Sequence, residues 1–290
     1  MIEVQRAMER LLALGPALAD SRLVLAGGVK LHVLQGGSGR PLLLLHGGGG
    51  GGANWYRLFP GLSSSMTLIA PDLPGFGLSD DIQLRPPLGL QAARLLAGML
   101  DVLGFPRVSV LGTSFGGLAA LRLAQHFPER VDRLVLLDSA GLARGVPWLV
   151  RIGTRALLAP IALRPTEPGT RWLLLRWLTS TRLEPEHEHA LVGWLTAVGR
   201  AHPHRALRLF AGWRGQQEVL DASELRALSV PTLVLWGERD RFFPLAQARA
   251  AAQQLAAGQL QVLAGAGHSP NWECPAAVVV QVRRFLAQQQ

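Results

Sequence analysis

Ser114 stands at the centre of Gly112-Thr113-Ser114-Phe115-Gly116, Asp240 follows Trp236-Gly237-Glu238-Arg239, and His268 closes Ala264-Gly265-Ala266-Gly267. A hydroxyl, a carboxylate and an imidazole are the three groups from which acyl transfer to water is built. A serine hydroxyl is a weak nucleophile at neutral pH, so it needs a base within hydrogen-bond reach, and that base needs an acid to orient it. In this reading Ser114 attacks, His268 takes its proton, and Asp240 holds the imidazole tautomer and stabilises the imidazolium. Two other acids compete with Asp240. Glu238 comes directly after Gly237, too early in its loop. Asp138 ends the apolar run Leu134 to Leu137 and is the more serious rival, although the strand-turn-helix context favours Asp240. Of eight histidines, only His268 combines a strand end, a Gly-rich turn and a place after both other groups. His126, His187, His189, His202 and His204 read as solvated, and His32 belongs to an early strand.

Ester chemistry creates an oxyanion, which fixed backbone N–H groups stabilise better than reorganising water. The run Pro41 to Leu45 is followed by His46 and then by glycines from Gly47 to Gly52. A glycine tract lets the backbone come close to a substrate. Gly48 is the expected donor from this loop, and Phe115, next after the serine, the second. No Gly-Lys-Ser/Thr ending follows, which argues against a nucleotide loop. His46 is expected to brace the loop. Gly47, Trp55, Trp148 and Trp272 are the expected substrate contacts. Trp172, Trp177, Trp194, Trp213, Leu149 and Phe210 either line an apolar pocket or pack the chain between about Ala143 and Trp213 onto the core.

These groups have to be positioned by an alternating strand-helix chain. Apolar runs at Pro41–Leu45, Thr67–Pro71, Val108–Leu111, Val131–Leu137, Thr232–Gly237 and Leu260–Leu263 read as buried strands. Two earlier strands, Arg22–Ala26 and Val29–Leu34, make an antiparallel start. Helices are expected near Trp55–Leu62, Leu88–Leu103 and Phe115–Phe127. Each candidate residue lies just past a strand end, and in an open parallel α/β sheet such ends meet in one crevice. The pattern implies a mostly parallel, doubly wound sheet. From about Ala143 to Trp213 the chain is helical and rich in Leu, Trp, Arg and Pro, and it reads as a cap over that crevice. The expected organisation is an N-terminal helix in residues 1–20, core in 21–142, cap in 143–213 and core again in 214–290. Ile2, Met8, Leu11, Leu12 and Leu14 make the first segment an amphipathic helix docked on the core.

Composition narrows the classes of function. The chain has 290 residues, nearly half of them hydrophobic, enough for one large α/β domain with an insertion. No apolar run reaches the length of a membrane span, and the first twenty residues carry charges that do not fit a signal peptide, so a cytoplasmic protein without stable membrane insertion is expected. The formal charge is +9, but the arginines are dispersed and form no basic block, which argues against nucleic acid. The charge favours anionic acyl substrates by steering. Cys274 is the only cysteine, so no internal disulfide forms, and no Cys/His cluster has metal-ligand spacing. The reading requires no cofactor and no metal, and it leaves a monomer or a homodimer open.

The His46-Gly47-Gly48-Gly49 loop, the segment Pro71-Asp72-Leu73-Pro74-Gly75-Phe76-Gly77-Leu78-Ser79, the serine pentapeptide, Trp236-Gly237-Glu238-Arg239-Asp240 and Gly267-His268-Ser269-Pro270 occur in one order. With these pieces the chain resembles the α/β-hydrolase superfamily from about Leu23 to Leu286. The resemblance implies the order of triad residues serine, acid, histidine. Within the superfamily, the tract from His46 to Tyr56 is similar to that of the meta-cleavage-product hydrolases, which cut carbon–carbon bonds in vinylogous diketo acids. That family has Asn before the serine and Trp after the histidine, where this chain has Thr113 and Ser269. The resemblance therefore implies carboxylic ester hydrolysis through an acyl-enzyme. The alternatives are carbon–carbon hydrolysis and a slow-turnover ligand-binding protein.

Overall fold

Leu42 and Leu44 pack on one face of the central strand, Leu43 and Leu45 on the other, so a continuous leucine run feeds two separate hydrophobic clusters. That is the signature of a strand buried on both faces by helices. The computed structural model describes residues 1–15, 20–82, 87–142, 165–203 and 218–288. Eight strands form one sheet: β1 (Asp20–Ala26), β2 (Val29–Gly36), β3 (Arg40–Leu45), β4 (Met66–Pro71), β5 (Val108–Thr113), β6 (Val131–Leu137), β7 (Thr232–Gly237) and β8 (Gly258–Leu263). Their order is β1-β2-β4-β3-β5-β6-β7-β8. The pairs β1·β2 and β2·β4 are antiparallel, and every pairing from β4 through β8 is parallel.

The chain passes from β3 outward to β4 on one side and then returns to place β5 on the other. The strand order therefore reverses beside β3, and the crevice beyond the carboxyl ends of β3 and β5 is where such sheets take ligands. His46 follows β3 and Ser114 follows β5. β5 and β7 are buried along their whole lengths, whereas at the sheet edges β1 exposes all but Val24 and Ala26 and β8 exposes alternate residues.

Among the longer helices, α1 (Ile2–Leu12), α2 (Leu88–Leu103), α3 (Phe115–His126), α4 (Glu167–Leu173), α5 (Pro185–Ala201), α6 (Ala222–Ala227), α7 (Leu245–Gln254) and α8 (Pro275–Leu286) cover the sheet or the insertion. α2 ends on Gly104 at φ 76°, a left-handed cap that a residue with a Cβ rarely adopts. Its start is capped by a buried carboxylate, since Glu218 accepts the Leu88 and Gly89 amides. The described part of the insertion between β6 and β7 is helical, comprising α4, a π turn at Leu174–Leu178, α5 and α6. α1 buries Val4, Met8 and Leu11, and it lies against α5 with Arg200 paired to Glu3 at 3.1 Å. Ile2, expected on the docked face, is 71% exposed because the helix starts there and its stripe begins at Val4. The expected helix at Trp55–Leu62 is two single turns, Gly52–Trp55 and Phe59–Leu62. No helix among the described residues is long and apolar enough to cross a membrane.

Candidate active site

The turn from β5 into α3 is tight because two glycines allow it. A Cβ on Gly116 would sit 2.1 Å from the Leu45 carbonyl oxygen, and one on Gly112 would sit 2.5 Å from that of Gly116. Between them Ser114 is forced to φ 49°, ψ −120°, a conformation that an L-residue adopts only under constraint. The constraint is visible. The Ser114 N–H donates to the Leu137 and Asp138 carbonyls at 3.3 and 3.2 Å, and its carbonyl accepts the Ala140 N–H at 3.0 Å. Residues 108–113 and 115–124 are buried, and Ser114 between them is partly open. Its hydroxyl makes no hydrogen bond among the described residues.

Beyond β7 the chain turns so that Asp240 Oδ1 accepts the Phe242 and Phe243 amides at 2.7 and 3.0 Å. Oδ2 accepts the Nδ1–H of His268 at 2.9 Å. Three donors fix this carboxylate, and an acceptor on Nδ1 leaves Nε2 as the basic nitrogen of the neutral ring. Phe242 and Phe243 both pack against the imidazole, one tilted with ring centroids 4.7 Å apart and the other edge-on at 5.4 Å. Glu238 turns aside to accept the Gly265 N–H at 2.9 Å. Asp138 is close but does not hold the histidine. Its Oδ1 accepts the Gly237 N–H at 2.9 Å, while Oδ2 is buried without a donor. Burial, and then the Asp240 charge, push the Asp138 carboxyl well above the usual range.

The glycine loop reaches the same place from β3. A Cβ on Gly47 would lie 3.1 Å from Ser114 Cβ and 3.8 Å from its Oγ, so this loop touches the serine. His46 braces it as expected, with Nδ1–H on the Gly47 carbonyl at 2.7 Å and Nε2 accepting the Leu73 N–H at 2.8 Å. Burial holds the His46 pKa below its ordinary value. Gly48 lies on the exposed side of the loop, and Phe115 is buried against Phe76 with ring centroids 6.4 Å apart. Asp72, fully buried, accepts Gly52 N–H at 2.6 Å, Leu78 N–H at 2.7 Å and His32 Nδ1–H at 2.9 Å, so one carboxylate binds the glycine loop to the segment after β4.

Asn54 joins the loop to two distant parts of the chain. Its Oδ1 accepts the Trp194 indole N–H at 2.7 Å, and its carbonyl accepts those of Trp272 at 2.9 Å and Asn271 Nδ2 at 3.2 Å. Trp55 is fully buried and Trp272 is 4% exposed, both in the core cluster on the same face of the sheet as Leu42 and Leu44. Trp172 is 59% exposed and faces solvent, contrary to the pocket or packing role expected of it. Trp177 stacks edge-on against Phe242 at 5.8 Å. His202, expected to be solvated, is buried and donates Nε2–H to the Gly77 carbonyl at 3.1 Å. Trp148, Leu149, His204, Phe210 and Trp213 lie outside the described residues. Cys274 is a half-buried thiol, and burial pushes its pKa up to about 11.

The profile of the alpha/beta hydrolase family matches residues 42–282. The chain belongs to that family. Among relatives of this alpha/beta hydrolase, a 2-hydroxymuconate semialdehyde hydrolase from a Pseudomonas species is 32% identical over 276 residues, covering 92% of this chain and 94% of its own. A 2-hydroxy-6-oxo-2,4-heptadienoate hydrolase of Pseudomonas putida is 31% identical over 278 residues, covering 92% and 96%. Among solved structures, a bacterial membrane phospholipase A is 28% identical with a TM-score of 0.82, covering 97% of this chain and 89% of that one. Asn54 and Glu273 had no sequence signal beyond lying beside the motifs they serve.

Proposed function

We propose that this alpha/beta hydrolase is a serine esterase in which Ser114, His268 and Asp240 act together. The observation that carries the reading is the strained Ser114 turn, which keeps a free hydroxyl beside the glycine loop. The hydroxyl oxygen attacks the ester carbonyl as its proton passes to His268 Nε2. The oxyanion is held by the amides of Gly48 and Phe115, and the latter belongs to the first turn of α3, whose N–H groups have no partner within the helix. Collapse expels the alcohol, which takes the proton from His268, and leaves Ser114 acylated. Water then gives a proton to His268 as its oxygen attacks the acyl carbon; collapse breaks the bond to Ser114 Oγ, which takes that proton back from His268, and the acid is released. Asp240 remains ionised and stabilises the imidazolium throughout. Apo sites of this kind tighten their hydrogen bonds only when substrate arrives, so an unpaired Oγ is compatible with the mechanism.

The helical insertion acts as a cap, and Phe242 with Trp177 supplies an apolar wall near the base. Nitrophenyl esters graded in acyl length, assayed beside Ser114→Ala, test the proposal. The variant is expected to lose roughly a thousandfold or more in kcat. Near-normal hydrolysis by Ser114→Ala would sink it. A second reading, carbon–carbon hydrolysis of a dienoic diketo acid, is favoured by the two Pseudomonas relatives that bear such names. Turnover of that substrate together with poor ester turnover selects it.

A further inference from the structure

Asp138 is a buried ionisable group beside Asp240 and His268 that the mechanism above leaves unused. It is 0% exposed, and a carboxyl oxygen of it lies with Asp240 and His268 in a cluster whose ligand atoms are all within 4.8 Å of one another. Its backbone is held at φ 44°, a left-handed turn unusual for a residue other than glycine. That turn makes it a junction. The Asp138 N–H donates to the Leu235 carbonyl at 3.1 Å, its carbonyl accepts the Ser114 N–H at 3.2 Å, and its Oδ1 accepts the Gly237 N–H at 2.9 Å. One residue thus bonds to the nucleophile turn and to the strand that delivers Asp240.

Two ionised carboxyls cannot share a buried site at this separation without a large repulsion, and one proton between them removes it. The donor count says where the proton goes. Asp240 receives three hydrogen bonds, from Phe242, Phe243 and His268, and these stabilise its charge. Asp138 receives one through Oδ1, and Oδ2 is buried with no donor. An oxygen in that position is satisfied as an O–H that donates.

We propose that Asp138 is a positioning residue of this site: its carboxyl stays neutral and donates from Oδ2 to the Asp240 carboxylate, fixing the acid that orients His268. The titratable groups that face it are Asp240, His268, Cys274 and Glu273; the charges of Asp240 and Glu273 favour its neutral form, and a protonated His268 opposes it. The role rests on the assignment of Ser114, Asp240 and His268 proposed above.

Asp138→Asn tests it, because an amide keeps an acceptor for Gly237 and a donor for Asp240 but carries no charge. The expected kcat/KM lies within about threefold of the parent protein, with the acid limb of its pH profile unmoved. Asp138→Ala, which lacks the donor, is expected to lose about tenfold to a hundredfold in kcat by misplacing Asp240. Infrared difference spectra at pH 8 between the parent and Asp138→Asn are expected to show the carbonyl band of a protonated carboxylic acid in the parent alone. The inference is overturned if that band is missing, if Asp138→Asn moves the acid limb down by about one pH unit, the sign of a lost negative charge near His268, or if Asp138→Ala matches the parent. Labelling of Ser114 by a fluorophosphonate in the same preparations separates the two claims. Without labelling the esterase reading fails, whereas the infrared band still reports on the carboxyl pair.

Discussion

Ser180 and Glu273 join the helical insertion to the loop that carries His268. The Ser180 N–H donates to Glu273 Oε2 at 2.7 Å, the Thr181 N–H and hydroxyl donate to the same oxygen at 2.9 and 3.1 Å, and Oε1 accepts the Gly267 N–H at 2.8 Å. One carboxylate therefore spans 93 residues of chain and ends directly before the base. The insertion and the residue directly before His268 are thus held by the same side chain.

Glu273→Gln is expected to break that tie on one side, because its amide turns a donor towards an N–H. A buried donor left without an acceptor costs about 1–3 kcal/mol. The expected outcome is faster amide hydrogen exchange in residues 178–182 or 264–268, with kcat/KM reduced about tenfold. Unchanged protection in both segments would show that the carboxylate carries no coupling.

The strain at Ser114 predicts a trade of stability against activity. A residue other than glycine held at a disfavoured φ costs roughly 1–3 kcal/mol, and Ser114 sits at φ 49°. Ser114→Gly is expected to raise the melting temperature by about 2 °C or more while abolishing ester turnover, because glycine accepts the conformation freely. A melting temperature at or below that of Ser114→Ala would show that the turn stores no strain.

How far the sequence foretells this molecule depends on the range of the contacts. The central strands are legible because a strand covered on both faces needs an apolar stretch, as in Leu42–Leu45 and in Leu134–Leu137 behind Asp132 and Arg133, and the glycine spacing around Ser114 exposes the turn. Edge strands were longer than their apolar signal, as at β8, where alternate residues are solvated. Polar pairings made across the fold left no local trace. His32 meets Asp72 across 40 residues, and Asn54 meets Trp272 across 218. His202 looks like any helix-end histidine until Gly77 is packed beside it. The exposure of Trp172 was equally hidden, since a tryptophan in a helical insertion has the same local sequence whichever way it faces.

Trp194 offers a prediction that isolates one of these long-range contacts. Its indole N–H reaches Asn54 Oδ1 at 2.7 Å in a fully buried setting, and a Cβ on Gly51 would come within 2.8 Å of its ring. Trp194→Phe keeps most of the apolar bulk but leaves the Asn54 oxygen without this donor. A loss of about 1–3 kcal/mol in unfolding free energy is expected. Asn54→Leu added to Trp194→Phe removes the orphaned acceptor as well, so the double variant is expected to fall short of the summed losses. Denaturant melts of all three variants measure this, and strict additivity would mean that the indole and the amide do not interact.

His46 gives the protein an acid-sensitive element at the base of the glycine loop. The ring is fully buried, and burial, opposed by the Asp72 charge and by the bond to Gly47, leaves its pKa below the ordinary value. The folded state therefore binds its proton less readily than the unfolded chain. Stability from this group is present above about pH 6.5, the unfolded value, and is lost as pH falls towards the folded one. The slope is at most about 1.4 kcal/mol per pH unit. His46→Gln does not titrate and keeps an acceptor for the Leu73 N–H. Melting temperatures taken from pH 8 to pH 5 are expected to fall more steeply for the parent than for His46→Gln, whatever the offset between them at pH 8. Because the other titrating groups are common to both proteins, parallel curves across that range would mean that the folded chain accommodates a charged His46.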